Sequence, residues 1–421
     1  MAGHRLLGTT IAALALAGCG ESAAPPPPEH GGANLWIDSG GGSCERHAEP
    51  AGYTSDEACG SLAVAYAKAE TGDEIRVKAG AYPPQDLRRS NPRLTGAVTI
   101  RPAKGETVTF ASLTTDGDHV TIRNIAIPVG ATPRRGWFST GSDVTLQNVD
   151  ISGPEATVDI TGGTRVTYRD SDFGTPRNTT IRQCATGNGM PFQVSPARDV
   201  LIENVDFHPF IADRGPDCGP DGVLHLETIR IGDDVQDMTI SRSRFLEGDG
   251  SGTARILQTG AGGVDTTGLK IVNTWIGPAS KGAIGNSVHL AGGSASCEGF
   301  VIAYSYWVGG MNDAMCPTKP AYYGNLGTIP DYADCPGSDA AANLWVWSAP
   351  KTDCGTDRWL VDAAMLDAYR HAADGFHLTA DSPAVDAGQE LAACEELTGG
   401  VDIDGEPRAG RCDAGPDELV R

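Results

Sequence analysis

The chain has 421 residues, of which 40% are hydrophobic and 20% are charged, with 55 glycines and 27 prolines. This composition is typical of a soluble protein rich in β-strands and loops. The formal net charge of −22 disfavours nucleic acid and anionic membrane surfaces as partners, because like charges repel at long range. It also disfavours a highly anionic polysaccharide, unless the binding groove is locally basic or a cation bridges the two.

The N-terminus has the features of an export signal. A short basic start precedes an uncharged apolar run from Leu6 to Gly18, which is too short to span a bilayer. The sequence LAGC at residues 16–19 resembles the bacterial lipobox, which implies cleavage before Cys19 and attachment of lipid to that cysteine. The alternative is an ordinary signal peptide. We therefore expect a lipoprotein signal at 1–18, a proline-rich tether at 19–33, and a folded part held outside the cytoplasm at a bacterial cell membrane.

Ten further cysteines favour disulfide bonds. None of them is in a CxxC arrangement, so a metal site is the weaker alternative. An exported chain with an even number of thiols is expected to oxidise them. Pairing of sequence neighbours predicts five disulfides: Cys44–Cys59, Cys184–Cys218, Cys297–Cys316, Cys335–Cys354 and Cys394–Cys412.

A short pattern recurs seven times, as in VTIRNIAI at 120 and VTLQNVDI at 144, with 22 to 38 residues between successive copies. Its alternation of apolar and polar residues predicts strands with one buried face. The variable spacing predicts stacked coils whose loops grow from one side. The copies begin at Val120, Val144, Val166, Val200, Met238, Leu269 and Phe300. Four have asparagine at the fifth position, which suits a tight corner in the left-handed region: Asn124, Asn148, Asn204 and Asn273.

A second short strand is predicted before each copy of the pattern. Phe138, Ile160 and Val194 lie six residues before the copies that begin at 144, 166 and 200. In later coils the same strand is predicted in VLHLE, ARILQ and SVHLA. Two or three short strands per coil, each parallel to its equivalent in the next coil, describe a parallel β-helix.

The chain resembles right-handed parallel β-helix proteins of the pectin lyase-like superfamily. Residues 58–82, ACGSLAVAYAKAETGDEIRVKAGAY, are similar to the capping helix and first strand of many such proteins. The tail from Asp381, with SPAVDAG, DIDGEPR and DAGPDE, resembles the closing segment of bacterial members. The resemblance implies an all-β solenoid at 34–380 and a C-terminal cap at 381–421. The apolar side of the capping helix is predicted to contain Leu62, Ala63, Val64, Tyr66 and Ala67.

The short strands are predicted to place one polar residue outward in each of five successive coils. Equivalent outward residues of stacked coils form a column, and we expect this column to be the floor of a functional groove. Its predicted members are Asp159, Gln193, His225, Arg255 and His289. Glu227 is expected on the face of His225. The expected substrate-binding residues are Trp137, Asp159, Gln193, Arg230 and His289.

His225, Glu227 and Arg255 are the predicted catalytic residues. A histidine or carboxyl group can move a proton, and an arginine can stabilise the enolate-like charge that forms during lysis of a uronic-acid polymer. The bland alternative is that polar residues simply face water on an exposed sheet. The sequence thus predicts a polysaccharide lyase or glycoside hydrolase, with a non-catalytic carbohydrate-binding or cell-envelope protein, or a structural spacer, as alternatives.

Other features point to packing and turns. We expect Asp233, Asp234 and the DIDG sequence at 402 to be turn residues. The tryptophan-rich stretch that includes Trp275 and Trp307 is expected to pack the last coils, with a sugar platform as the alternative. No cofactor is predicted, and although calcium is compatible with such a fold, no motif supports it. Capped ends favour a monomer.

Overall fold

The structure is a computed structural model that describes most of the chain from residue 32 to residue 419. The described residues are 32–130, 136–153, 156–174, 179–181, 188–189, 191–208, 210–212, 225–246, 254–259, 266–277, 286–291, 297–307, 310–312, 316, 318, 320–328, 340–346, 358–360 and 377–419. The expected signal peptide and tether lie outside these residues.

Short strands, numbered here in chain order, are the main regular structure of the described chain. The first sixteen are β1 (Leu35–Ile37), β2 (Glu74–Val77), β3 (Gly80–Tyr82), β4 (Gln85–Leu87), β5 (Val98–Pro102), β6 (Val108–Phe110), β7 (Leu113–Thr115), β8 (Val120–Pro128), β9 (Trp137–Ser139), β10 (Val144–Ser152), β11 (Val158–Ile160), β12 (Thr164–Phe173), β13 (Thr179–Ile181), β14 (Asn188–Gly189), β15 (Phe192–Val194) and β16 (Ala197–Phe207). The others are β17 (Phe210–Ala212), β18 (His225–Ile231), β19 (Val235–Ser241), β20 (Arg244–Phe245), β21 (Ala254–Thr259), β22 (Lys270–Val272), β23 (Trp275–Ile276), β24 (Asn286–Ala291), β25 (Val301–Ala303), β26 (Tyr306–Trp307), β27 (Gly310–Asn312), β28 (Ala321–Tyr323), β29 (Leu326–Thr328), β30 (Ala340–Ala341), β31 (Leu344–Val346) and β32 (Arg358–Leu360).

The strands stack into a parallel β-helix. Among the described residues every strand pair is parallel, and the described strands form a sheet of 20 strands, a sheet of ten and a separate pair. In the large sheet Val144 pairs with Val120 on one side and with Val166 on the other, so the sequence repeat and the structural coil coincide. The first residues of all seven copies are buried, which confirms the predicted alternation. Their apolar side chains form one continuous core that runs through the coils.

A tight corner bends each long strand of the large sheet. Asn124, Asn148, Asn204 and Asn273 all have φ between 48° and 58°, as the sequence pattern predicts. The side-chain amide of Asn148 donates a hydrogen bond of 2.8 Å to Oδ1 of Asn124 in the preceding coil. Asparagine suits the corner because its side chain tolerates the left-handed region and bonds to the next coil.

Replacing Asn148 by alanine should lower the free energy of unfolding by about 1–2 kcal/mol, because a Cβ without a compensating polar group is strained at positive φ. Asn148→Gly is the matched control, since it loses the same amide but relaxes the backbone, and it should cost less. Urea denaturation followed by tryptophan fluorescence measures both. Equal losses in the two variants would show that the amide ladder, and not the corner geometry, stabilises the coil.

The helix α1 (Leu62–Lys68) covers the first coil. Ser61 caps its N-terminus by accepting a hydrogen bond from the amide of Val64. Leu62 and Tyr66 are buried as predicted, together with Ala65. Ala63, Val64 and Ala67 are exposed, so their assignment to the apolar side is wrong. The reason is the helical period, which places residues 62, 65, 66 and 69 on one face.

The C-terminal cap, residues 377–419, contains the helix α2 (Leu391–Thr398) and packs against Trp275, Tyr306 and Leu326 of the large sheet. A disulfide between Cys394 and Cys412 ties this helix to the last turns of the chain. Bonds between Cys44 and Cys59 and between Cys297 and Cys316 are also formed, which confirms three of the five predicted pairs. The pairs Cys184–Cys218 and Cys335–Cys354 lie outside the described residues. No helix among the described residues is both long and apolar enough to cross a membrane.

Candidate functional site

One column of polar residues follows the outer face of the ten-stranded sheet. Strand pairing aligns Asp159 with Gln193, and Gln193 with Arg230, in three consecutive coils. His289 occupies the same column two coils after Arg230, and the position between them is Leu257. We call the four polar residues Asp159, Gln193, Arg230 and His289 the small-sheet column. All four side chains are partly exposed, between inward neighbours that are fully buried.

The predicted register is wrong in two coils. Arg230, and not His225, pairs with Gln193, and the next position in the column is Leu257, and not Arg255. The reason is that the sequence offers two alternating apolar pairs, first Leu224 and Leu226 and then Ile229 and Ile231, and the second pair faces the core. Asn188 pairs with His225 in the separate β14–β18 ladder. The side chains of His225 and Arg255 lie outside the described residues, so their catalytic roles stay predictions.

Two other predicted site residues point away from solvent. Trp137 is fully buried, and its indole Nε1 donates a hydrogen bond of 2.8 Å to Thr115 Oγ1. Phe138 takes the outward position in that coil, because it pairs with Asp159. Glu227 is 2% exposed and shares the parity of the buried Ile229 and Ile231, so it does not lie on the column as predicted.

The small-sheet column combines a carboxylate, an amide and a guanidinium. Neighbouring parallel strands are about 4.8 Å apart, so Asp159 and Arg230 are roughly 10 Å apart along the column. Arginine binds carboxylates through two parallel hydrogen bonds and stabilises developing negative charge. Carboxyl and imidazole groups exchange protons. The column therefore offers the groups needed to bind an acidic sugar chain and to act on it.

A second set of polar residues was not predicted. Asp150, Asp172 and Asp206 occupy equivalent outward positions of the large sheet, since Asp172 pairs with Asp206 and each is the seventh residue of its repeat. His208 is 7% exposed, and its Nε2 lies 2.7 Å from Oδ1 of Asp172. The recurring aspartate at the seventh position of the repeat was the sequence signal for this set.

The described residues that could hold a metal ion lie in the C-terminal cap. One ligand atom each from His377, Asp404 and Asp417 falls within 4.8 Å of the other two. His377 Nε2 is 2.9 Å from Asp404 Oδ2, and the same carboxylate also contacts Arg244 of the last coils. The geometry thus fits a cation, but a guanidinium already occupies one side of Asp404. The cluster joins the cap to the coils.

Several residues outside the small-sheet column have structural roles, as expected. Asp402 Oδ1 accepts hydrogen bonds from the amides of Asp404 and Glu406, so the DIDG sequence is a turn. Asp234 is also in a turn, with a φ of 54°. Trp275 and Trp307 are buried, and Trp275 stacks on Tyr306 at 3.9 Å between ring centroids. This confirms the packing role for these two tryptophans.

Burial raises the pKa of Asp417 to about 7, and the carboxylates of Asp402 and Asp404 add to this effect. A hydrogen bond from the amide of Leu378 and the charge of His377 oppose it. Because the pKa in the folded state exceeds the unfolded value, Asp417 stabilises the cap fully below about pH 4. That contribution is lost as the pH rises through about 7.

The cap should therefore lose up to about 3 kcal/mol between pH 5 and pH 8. Hydrogen exchange of residues 377–419 in the presence of a chelator measures this change. Asp417→Asn keeps an oxygen that accepts the Leu378 amide, and it should flatten the pH dependence. An unchanged slope in this variant would assign the effect to Asp413 and Glu418, whose pKa values burial also raises.

Comparison with known proteins bears on the fold. No protein-family model matches the chain, and no curated protein sequence matches it. Among solved structures, a pectate lyase, Pel9A, is 13% identical and has a TM-score of 0.57 over 93% of this chain and 98% of its own. A rhamnogalacturonan lyase is 11% identical with a TM-score of 0.43 over 83% and 96% of the two chains. XylC, solved with xylose, is 9% identical with a TM-score of 0.48 over 92% and 98%.

At these identities the similarity to Pel9A shows the fold alone. It agrees with the parallel strand pairing described above. The chain has the right-handed parallel β-helix fold found in pectate lyase.

Proposed function

We propose that the chain is an extracytoplasmic polysaccharide lyase that binds an acidic glycan along the small-sheet column. The observation that carries the proposal is the alignment of Asp159, Gln193 and Arg230 in three consecutive coils of one exposed sheet. Its support from comparison is the fold shared with a pectate lyase. Arg230 pairs with a uronate carboxylate and stabilises the enolate-like charge, while Gln193 binds a hydroxyl group of the sugar.

The arrangement of carboxylates favours lysis over hydrolysis. Glycoside hydrolases use two carboxyl groups about 5–9.5 Å apart. Asp86 is the nearest described carboxylate in register with Asp159 on this sheet, and it lies three strands away. At about 4.8 Å per strand, the two are roughly 14 Å apart, which exceeds the distance for hydrolysis. One carboxylate two strands away from one guanidinium suits β-elimination, in which a base takes a proton from one carbon and the C–O bond at the adjacent carbon breaks.

Two described groups of the column can accept that proton, Asp159 and His289. They differ in their usual pKa values, about 3.9 for aspartate and about 6.5 for histidine. The pH dependence of kcat/KM would separate them, because activity that depends on a deprotonated histidine rises at higher pH than activity that depends on a deprotonated aspartate. His225 is the base predicted from sequence, and Asp159→Asn, His225→Gln and His289→Gln test the three in parallel.

We further propose that lipid on Cys19 anchors the protein at the membrane. The support is the lipobox-like sequence LAGC and the proline-rich residues that follow it. A Cys19→Ser variant should be released from the membrane fraction. Retention of this variant in that fraction would contradict lipid anchoring.

The test of the activity uses the full chain in detergent and a panel of acidic and neutral polysaccharides. A lyase leaves an unsaturated sugar at each new end, which absorbs ultraviolet light, whereas a hydrolase leaves a reducing end without that absorbance. Ultraviolet absorbance that grows with time on a uronate polymer supports the proposal. Binding without either product would instead favour a non-catalytic glycan-binding protein, for which Leu257, an apolar residue inside the column, is a specific argument.

A further inference from the structure

A row of basic residues crosses the outer face of the large sheet, away from the small-sheet column. Arg76 pairs with Arg101 in the first coils, and Arg123 pairs with Gln147, which pairs with Arg169. The register between strands β5 and β8, in which Ile100 pairs with Ile122, continues the row from Arg101 to Arg123. We call these five residues the basic row. The repeat thus places guanidinium groups in four of five successive coils.

A cavity of about 220 Å³, partly open to solvent, lies at the first three coils of this row. Arg76, Arg101 and Asn124 form its base. Its wall is the turn at residues 102–106, which carries Lys104 and Glu106. The corner at this position spans several residues, whereas the corner after Arg123 is the single residue Asn124. The longer turn makes a cleft out of an otherwise flat sheet face.

The charges at this cavity add up to an excess of positive charge. Glu74 is shared by Arg76 and Arg101, whose Nε atoms lie 2.5 and 2.9 Å from its Oε1. Glu106 is paired with Lys78, which lies outside the cavity lining. Arg123 is exposed and makes no hydrogen bond or ion pair with another described residue. Three basic residues, Arg76, Arg101 and Lys104, thus line the cavity together with one acidic residue, Glu106, in a chain whose net charge is −22.

The neighbouring amide adds a group suited to sugar hydroxyls. Asn124 Oδ1 accepts a hydrogen bond from Asn148, so its NH₂ group faces solvent at the edge of the cavity as the remaining donor. Guanidinium groups recognise carboxylates through paired hydrogen bonds. A cleft with cationic groups at its base and an amide donor at its edge has the chemistry of a site for an acidic sugar.

We propose that the basic row is a second glycan-binding site, which takes a chain bearing carboxylate groups. It lies on a different sheet from the small-sheet column, and it rests on the proposed function only for the class of ligand. A locally basic groove also resolves the conflict between the strongly acidic chain and an acidic polysaccharide. The row would hold the polymer on the protein while another segment of it reaches the column.

A nucleic acid fits the row less well. Sites for single-stranded nucleic acid add aromatic side chains on which the bases stack, and the residues that line this cavity include none. Duplex DNA carries one negative charge per about 1.7 Å of its axis, so a chain with a net charge of −22 repels it more strongly than a uronate polymer of lower charge density.

The experiment compares two double variants of the full chain in detergent by titration calorimetry with oligogalacturonate. Lys104→Gln with Arg123→Gln removes one positive charge from the cavity wall and one from the basic row, and leaves the buried Arg76 intact. Arg93→Gln with Lys270→Gln removes the same charge from exposed positions elsewhere. Both are made in an Asp159→Asn, Arg230→Gln background, so that the small-sheet column does not contribute. We expect the row variant to bind at least tenfold more weakly, and the control to bind as its parent does.

Three outcomes would overturn the assignment. The first is that the parent with Asp159→Asn and Arg230→Gln does not bind oligogalacturonate. The others are that the row and control variants bind it with equal affinity, or that the parent binds a neutral xylo-oligosaccharide equally well. Competition by a single-stranded oligonucleotide of equal charge at equal affinity would reassign the row to nucleic acid. Failure of the proposed lyase activity is distinguishable, because it is measured as product formation in the unaltered chain and not as binding in this background.

Discussion

Replacing Arg408 by alanine should lower the stability of the C-terminal cap by about 3–5 kcal/mol. The guanidinium is fully buried, and its Nη1 lies 3.1 Å from Oε2 of Glu418. Its Nη2 donates to Oδ1 of Asn273 at 2.9 Å, which links the cap to a corner of the coils. The group also stacks over the ring of Tyr304, 4.8 Å from its centroid. Loss of the arginine leaves the carboxylate of Glu418 buried without its charge partner, and this desolvation is the main cost.

The matched control is Arg411→Ala in the same cap. Arg411 pairs with Glu390 at 3.1 Å, but both side chains are largely exposed, so the pair is worth at most about 1 kcal/mol. Hydrogen exchange of residues 377–419 and urea denaturation measure both variants. Similar losses for the two arginines would mean that packing of α2 and the Cys394–Cys412 bond, and not the buried ion pair, hold the cap.

Replacing Arg230 by glutamine should lower kcat/KM on the cleaved polysaccharide by about 10²–10³-fold. Arg230 is the guanidinium of the small-sheet column, aligned with Gln193, and it is assigned to the charge that develops on the substrate. Because that charge exists mainly in the transition state, kcat should fall more than KM rises. Arg230→Lys should recover part of the loss, since it restores the charge but not the paired hydrogen bonds.

Arg198→Gln is the control, because Arg198 is exposed on strand β16 of the large sheet and its loss changes the net charge equally. Unaltered activity in Arg230→Gln, together with a large loss in His225→Gln or Arg255→Gln, would return the site to the residues predicted from sequence. Circular dichroism of each variant checks that the β-helix is intact.

The fold could be predicted because its signal is repeated. Seven copies of one pattern each place the same residue inward, so an error in one copy does not change the architecture, and Val120, Val144 and Val166 align as predicted. The corner asparagines were predictable for a similar reason, since their backbone geometry follows from residue type. Three disulfides followed from the order of the cysteines.

The candidate site could be predicted only in part, because it depends on register in individual strands. A shift by an odd number of residues exchanges the inward and outward faces of a strand. The sequence at 224–231 offers two apolar pairs five positions apart, and the sequence alone does not say which pair continues the core. The structure uses the second pair, which places Arg230, and not His225, in the column. Trp137 shows the same uncertainty of register. Trp137 and Phe138 are adjacent aromatic residues, so only one of them can face the core, and the structure places Trp137 inward and Phe138 outward.

The coil, with its corner at Asn124 or Asn148, is the repeating unit by which the solenoid can become longer or shorter. Each coil contributes one residue to the basic row and, through its short strand, one to the opposite face, so both surfaces grow by one strand spacing when a coil is added. Excision of one coil, residues 144–165, would bring Arg123 beside Arg169 while the outer positions of the short strands close up by the same step. Both surfaces therefore lengthen or shorten only in steps of one whole coil.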